Sequence, residues 1–225
     1  IIELEWRKEM PKKISKSVVL ACLFLVFGCS NSRAQDLLLF EYKELFGYVD
    51  KELNVVIEPR FVKASSFNSD GYAVVSYGKR DFAIITTSGK EVYRVNTPSM
   101  RDISDGLFAY YGDRGRTIYD LNSKKIIAEG LNDVGSASEG MIDVRFMIDG
   151  PAAGYINYAG EKLLEGFSFR RTNEFREQVA SVILDDWYSA LITIDGNIVG
   201  GSKYLRLGEH FSEGLIFVQT EDGRT

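Results

Sequence analysis

Apolar residues in this chain come in short alternating runs that are too brief for helices. "YAVV" at Tyr72–Val75, "LFAY" at Leu107–Tyr110, "MIDV" at Met141–Val144, "VASV" at Val179–Val182 and "LIFV" at Leu215–Val218 each follow a turn of the form Ser-acid-Gly, or a variant of it. Within these runs Ala73 and Val75, Phe108 and Tyr110, Ile142 and Val144, Ala180 and Val182, and Ile216 and Val218 share one phase, and all are apolar or aromatic. The other phase includes Asp143, Arg145 and Ser181. A period of two predicts strands, with the first set facing a core and the second at least partly wet.

The runs recur. Gly71, Gly106, Gly140, Gln178 and Gly214 hold one turn position at spacings of 35, 34, 38 and 36 residues. A second landmark runs in phase through Leu53, Gly89, Ser123, Gly160 and Gly196, spaced by 36, 34, 37 and 36. Two landmarks with one period identify a tandem repeat. Each unit reads as a three-stranded β-meander, followed by a link of about ten residues such as "EPRFVKASSF" or "VNTPSMRD". One meander cannot bury its own apolar face, so neighbouring units must cover one another. The fold expected over 36–225 is therefore all-β, about five units of roughly 36 residues. An open solenoid-like array and a propeller-like ring both satisfy the pattern. Gly in the recurrent turn supplies a positive φ or a close approach, and the Ser and acid before it can bond local amides and stay solvated.

"GYVD", "VVIEPRF", "FNSDGYAVV" and "YGK" in the first unit resemble the WG repeat, a bacterial repeat that runs Gly-Tyr-Ile-Asp, a Gly turn, Val-Ile-Pro-Pro and then Phe-Ser-Glu-Gly-Leu-Ala. The resemblance spans roughly Leu37 to the end. The first and last units match best, "FREQVAS" is degenerate, and the Trp-Gly pair that gives the repeat its name is absent. The resemblance implies a β-repeat fold and no catalytic residues. "LLLFEY" reads as the first strand of the array, whereas the chain stops at "DGRT", where another strand is due. The native array is expected to continue.

The N-terminal segment is of another kind. Residues 1–9 precede Met10 and read as upstream or non-native sequence. Lys12, Lys13 and Lys16 then lead into the apolar run Val18–Gly28. A basic start and an apolar stretch too short for a permanent span predict an export signal over 10–34. Gly28-Cys29 resembles a lipoprotein cleavage site, which implies a lipid on Cys29 and attachment to the bacterial envelope. Cleavage after Ala34 is the alternative and would release a soluble protein into the periplasm or medium. The chain has 2 Cys, Cys22 inside the signal and Cys29, so no disulfide is expected in the mature part. A net charge of -5 speaks against nucleic acid as a partner.

Candidate chemistry is sparse. His210 is the only His, which leaves no His-based metal cluster, and no phosphate-binding glycine loop is present. Asp70, Asp105, Glu139 and Glu213 recur at one turn position, but one acid per repeat reads as solvated turn chemistry, not as a calcium ladder. No cofactor and no metal are expected. Asp185, Asp186, Trp187 and Tyr188 form an acidic-aromatic cluster of the kind that contacts carbohydrate; the plainer expectation is a turn whose Trp187 packs on the sheet. Arg170 and Arg171, with Arg176, form a basic link that can meet an anionic partner. The function expected is a non-enzymatic binding or scaffold module for a protein or envelope polymer. The alternative is a glycan-acting envelope enzyme using Asp185 and Asp186 as paired carboxylates.

Overall fold

A computed structural model describes residues 37–147, 153–165, 167–199, 204–208 and 215–219. These are strands and turns, with no α-helix among them. The chain divides into two compact units, Ile1–Met100 and Arg101–Thr225.

In the first unit, β1 (Leu38–Tyr42), β2 (Leu45–Val49) and β3 (Val55–Phe61) form one antiparallel meander. β4 (Lys63–Ala64), β5 (Tyr72–Gly78), β6 (Asp81–Thr86) and β7 (Glu91–Asn96) form a second. In the second unit, β9 (Leu107–Gly112), β10 (Gly115–Asp120) and β11 (Lys125–Ser138) repeat the pattern, preceded by β8 (Met100–Ser104) at the unit boundary. β12 (Met141–Phe146), β13 (Ala153–Asn157) and β14 (Lys162–Leu163) follow, then β15 (Phe169–Thr172), β16 (Val179–Leu184) and β17 (Ser189–Thr193). β18 (Arg206–Leu207) and β19 (Val218–Gln219) pair last. The three strands expected are present in the first four meanders; after β17 the third is reduced, among the described residues, to the bridge Ile192↔Ile198. The links add to them: β4, β8, the second half of β11, and β15 each pair in front of a meander as a fourth strand.

β11 serves two meanders. Its first half pairs with β10, from Asp120↔Lys125 to Arg116↔Leu131, and its second half pairs with β12, from Leu131↔Phe146 to Ser138↔Met141. Leu131 is the hinge of this exchange, and register shifts on either side of it mark β-bulges that bend the strand.

Burial explains why successive repeats need one another. The phase expected to face the core does so: Ala73, Val75, Phe108, Tyr110, Ile142, Val144, Ala180 and Val182 are all buried. Ile216 and Val218 are half-buried. The other phase is only partly wet, as expected: Arg145 is exposed and Asp143 half-buried, but Val74, Ser76, Leu107, Ala109, Met141 and Ser181 are buried. Stacking is the reason. Ile142, Val144 and Ile156 pack back on Leu107, Ala109 and Ile118 of the preceding meander. Met141 and Tyr155, on the opposite face, pack forward on Phe169, Ala180 and Val182. A meander covered on both sides has its first two strands apolar on both faces, and the alternation fades there.

At Asp70-Gly71 only Gly71, at 79°, has positive φ; the next two recurrent turns are two-residue hairpins with both residues positive, Asp105-Gly106 at 55° and 75° and Glu139-Gly140 at 52° and 83°. This mirror-image turn matches the twist of the strands it joins. The degenerate "FREQ" keeps the geometry without glycine, with Glu177 at 53° and Gln178 at 65°, closed by Arg176 and Val179 exchanging backbone bonds of 2.9 and 3.1 Å. The second landmark is a one-residue-longer turn. Gly89, Gly160 and Gly196, and Leu53 in the first repeat, have positive φ and donate their N–H groups back to Thr86, Asn157, Thr193 and Asp50. In the third repeat the positive φ falls on Lys124, one residue after the expected Ser123.

Candidate functional site

The links and turns, not the strands, differ from unit to unit, and one of them builds an unusual surface. β15 pairs with β16 through Phe169↔Leu184, Arg171↔Ile183 and Thr172↔Val182, with a bulge between Phe169 and Arg171. Phe169 and Thr172 turn inward, while Arg170 and Arg171 both emerge. On a regular strand consecutive side chains take opposite faces; the bulge re-aims one of them.

The hairpin from β16 to β17 lies beside them. Leu184 N–H donates to Tyr188 O at 2.9 Å and Trp187 N–H to Leu184 O at 3.0 Å, the same closure as the glycine turns. Here the positive-φ position, at 70°, is Trp187. A bulky aromatic residue seldom takes this conformation. Its side chain does not pack on the sheet as the plainer expectation held: it is 70% exposed. The Arg170 guanidinium lies 4.1 Å from the centroid of the indole, and its Nε donates to Asp185 O at 3.0 Å. Arg170 thus braces the turn and stacks on the ring, a cation–π contact.

Of the sequence candidates, Arg170, Asp185 and Trp187 meet directly. Asp186 is exposed and its Oδ1 accepts the Tyr188 N–H at 3.2 Å, as short acids in turns do. Tyr188 is half-buried. Asp185 and Asp186 are neighbours on one exposed turn and do not face each other across a cleft.

A cavity of about 290 Å³ opens beside Trp187. Arg171, Asn173, Ser181, Leu205 and Arg206 contribute to its lining together with the indole. Asn173 Nδ2 donates to Ser181 Oγ at 2.9 Å and fixes the polar floor. A second cavity of about 260 Å³ shares Arg171 and Asn173 and adds Asp133, Gly135, Asp143 and Arg145.

Asp143 was not legible as a special residue in "MIDV". Its Oδ1 accepts the Ser136 N–H at 2.7 Å, and its carboxylate lies against Gly135, where any Cβ would fall 1.9 Å from Oδ2. Burial pushes the carboxyl up to about 6, against the pull of the Ser136 bond. Around it, Arg101 donates to the carbonyls of Val134 and Gly135, and burial holds its guanidinium below the usual range. Arg116 pairs with Asp133 at 3.0 Å and lies over Tyr111.

The turn acids have structural partners. Tyr158 Oη donates to the Asp105 carboxylate, and the Gln178 N–H donates to Glu139 Oε2 at 2.8 Å, so both acids tie their turns to a later repeat. Asp70 is exposed in a turn organised by Asn68, whose Oδ1 accepts from Asp70 and Tyr72. No group of three His, Cys, Asp or Glu side chains is arranged to hold a metal among the described residues. Cys29, His210 and Glu213 lie outside the described residues.

Comparison with solved structures finds the likeness in fold. Hsv2 of Kluyvelomyces marxianus superposes with a TM-score of 0.50 at 10% identity, over 85% of this chain and 68% of that one. Hsv2p of Kluyveromyces lactis gives 0.50 at 13% identity, over 84% and 70%. These neighbours are propeller-like β folds. No curated protein matches the chain in sequence. Residues 46–80, which run from β2 through the Ser-acid-Gly turn and β5, match the model of the WG containing repeat. That match falls on one full period of the landmarks that return along the array, so this stretch is a WG repeat.

Proposed function

We propose that this protein is a non-enzymatic binding module, exported to the bacterial envelope and held there by a lipid on Cys29, which recruits a protein or envelope polymer through the Arg170–Trp187 surface. The β-repeat family and the propeller-like neighbours support a scaffold that presents varied turns on a constant frame. One observation carries the choice of surface. Trp187 occupies a strained left-handed position, held by glycine in the turns of the same closure at Gly89, Gly160 and Gly196, yet its ring stays 70% exposed. Strain of this kind, of order 1–3 kcal/mol, collects at functional positions. The basic and apolar run over 10–34 supports export.

The glycan-hydrolase reading has less support. Two acids on one exposed turn lack the facing arrangement, about 5–10 Å apart, that acid–base cleavage of a glycoside requires. The module reading is tested by incubating the full chain and its Trp187→Ala variant with sedimented bacterial envelopes. Retention of the parent and at least tenfold weaker retention of the variant are expected. Equal retention of both removes this surface from consideration. Intact mass of the N-terminal peptide tests the anchor: a diacylglyceryl mass on Cys29 supports it, and a peptide starting at Gln35 replaces it with a soluble exported form.

A further inference from the structure

We propose that the cavity beside Trp187 takes an acidic peptide segment, with a carboxylate held between Arg171 and Arg206 and a neighbouring apolar side chain laid on the indole. The inference rests on the module reading above and goes further by naming the ligand.

Charge is the first ground. Among the described residues two guanidinium groups line this cavity and no carboxylate does, in a chain whose net charge is -5. A planar guanidinium fork matches a carboxylate in two parallel hydrogen bonds, so a pair of them selects a carboxylate over a neutral amide. The adjoining cavity, past Arg171 and Asn173, presents Asp133 and Asp143. A ligand's negative charge is thereby kept from passing beyond Arg171, which gives the site polarity.

Shape is the second. At about 290 Å³ the cavity has room for roughly ten waters, enough for one or two side chains and not for the face of a folded protein. Trp187 is 70% and Leu205 48% exposed, so apolar surface stands at the cavity while its floor is polar. An aromatic or aliphatic side chain covering that surface recovers about 25 cal/mol for each Å² removed from water. An acidic residue beside an apolar one supplies both halves of this match.

The test uses the full chain carrying Trp6→Phe, which leaves Trp187 as the sole indole of the 2 in the sequence. The probe is acetyl-Asp-Phe-Asp-Phe-amide, compared with the same peptide containing Asn for Asp and with phosphatidylglycerol vesicles. A saturable change in Trp187 emission is expected with the acidic peptide. At least tenfold weaker binding is expected for the Asn peptide and for the Arg171→Gln and Arg206→Gln variants. Both arginines are exposed, and an unchanged circular dichroism spectrum establishes that the variants fold. Equal affinity for the two peptides, indifference to both arginine changes, or a response to vesicles alone would overturn the proposal. Envelope retention that depends on Trp187 without any peptide response also overturns it, while leaving the module reading intact.

Discussion

Tyr155 donates a 2.7 Å hydrogen bond from its phenol to the backbone carbonyl of Asn173, and Tyr48, its counterpart three repeats earlier, donates one of the same length to Ser65. Each ring is fully buried and flanked by two phenylalanines, Phe169 and Phe175 for Tyr155, Phe61 and Phe67 for Tyr48. The Gly-Tyr motif therefore pins the link that follows it to the meander that carries it. Tyr155→Phe keeps the ring packing and leaves a carbonyl without its donor. A loss of about 1–2 kcal/mol in urea unfolding is expected.

The same link positions Arg170 and Arg171, so this motif supports the contact surface from behind. That relation was only half legible. Period-two alternation, the spacing of two turns and the Gly-Tyr residues carried the strands, the repeat and the buried phase. That neighbours cover one another could be read, but not that the cover is two-sided, because two-sided burial erases alternation where it matters. Nor could the cluster around Trp187, since it depends on a bulge between Phe169 and Arg171 and on a left-handed tryptophan. Neither is a property of local composition.

Trp187→Gly separates fold from recognition. Glycine takes a φ of 70° without steric cost, and the lost indole is mostly in water. Stability is expected to rise by about 0.5–1 kcal/mol in chemical denaturation while envelope retention falls. A loss of stability would show that the ring packs more than its exposure indicates.

Gly47 is required by close approach. Between Phe46↔Phe61 and Tyr48↔Ile57, β3 carries extra residues that fold over it, and an added Cβ would lie 2.6 Å from Ile57 O and 2.7 Å from Pro59 N. These are backbone atoms with little freedom to give. Gly47→Ala is expected to cost about 2 kcal/mol or more. Gly78→Ala, where an added Cβ meets nothing within 4 Å, is the control and should change stability by no more than about 0.5 kcal/mol.

Asp143 gives stability a pH dependence of definite sign. Its folded value of about 6 lies above the ordinary aspartate value of 3.8, so the folded state binds the proton more tightly. The contribution is fully present below the unfolded value and is lost as pH rises through about 6, with a ceiling on the order of 3 kcal/mol. Arg101 and Glu174 face the same carboxyl and act in opposite directions on it. Asp143→Asn is expected to flatten the stability profile between pH 4 and about 7.5, and to exceed the parent at the upper end. A parent profile that rises with pH across this interval counts against the assignment.

The long strand β11 sets a rule for how such an array can be edited. Because its two halves belong to successive meanders, an excision of one period that cuts within Lys125–Ser138 removes pairing from both neighbours at once. A duplication or deletion that respects the fold must instead begin and end in the hairpin turns, as at Asp105-Gly106 and Glu139-Gly140. The heritable module of this protein is thus offset from the visible meander. It runs from one left-handed turn to the next and takes its link with it.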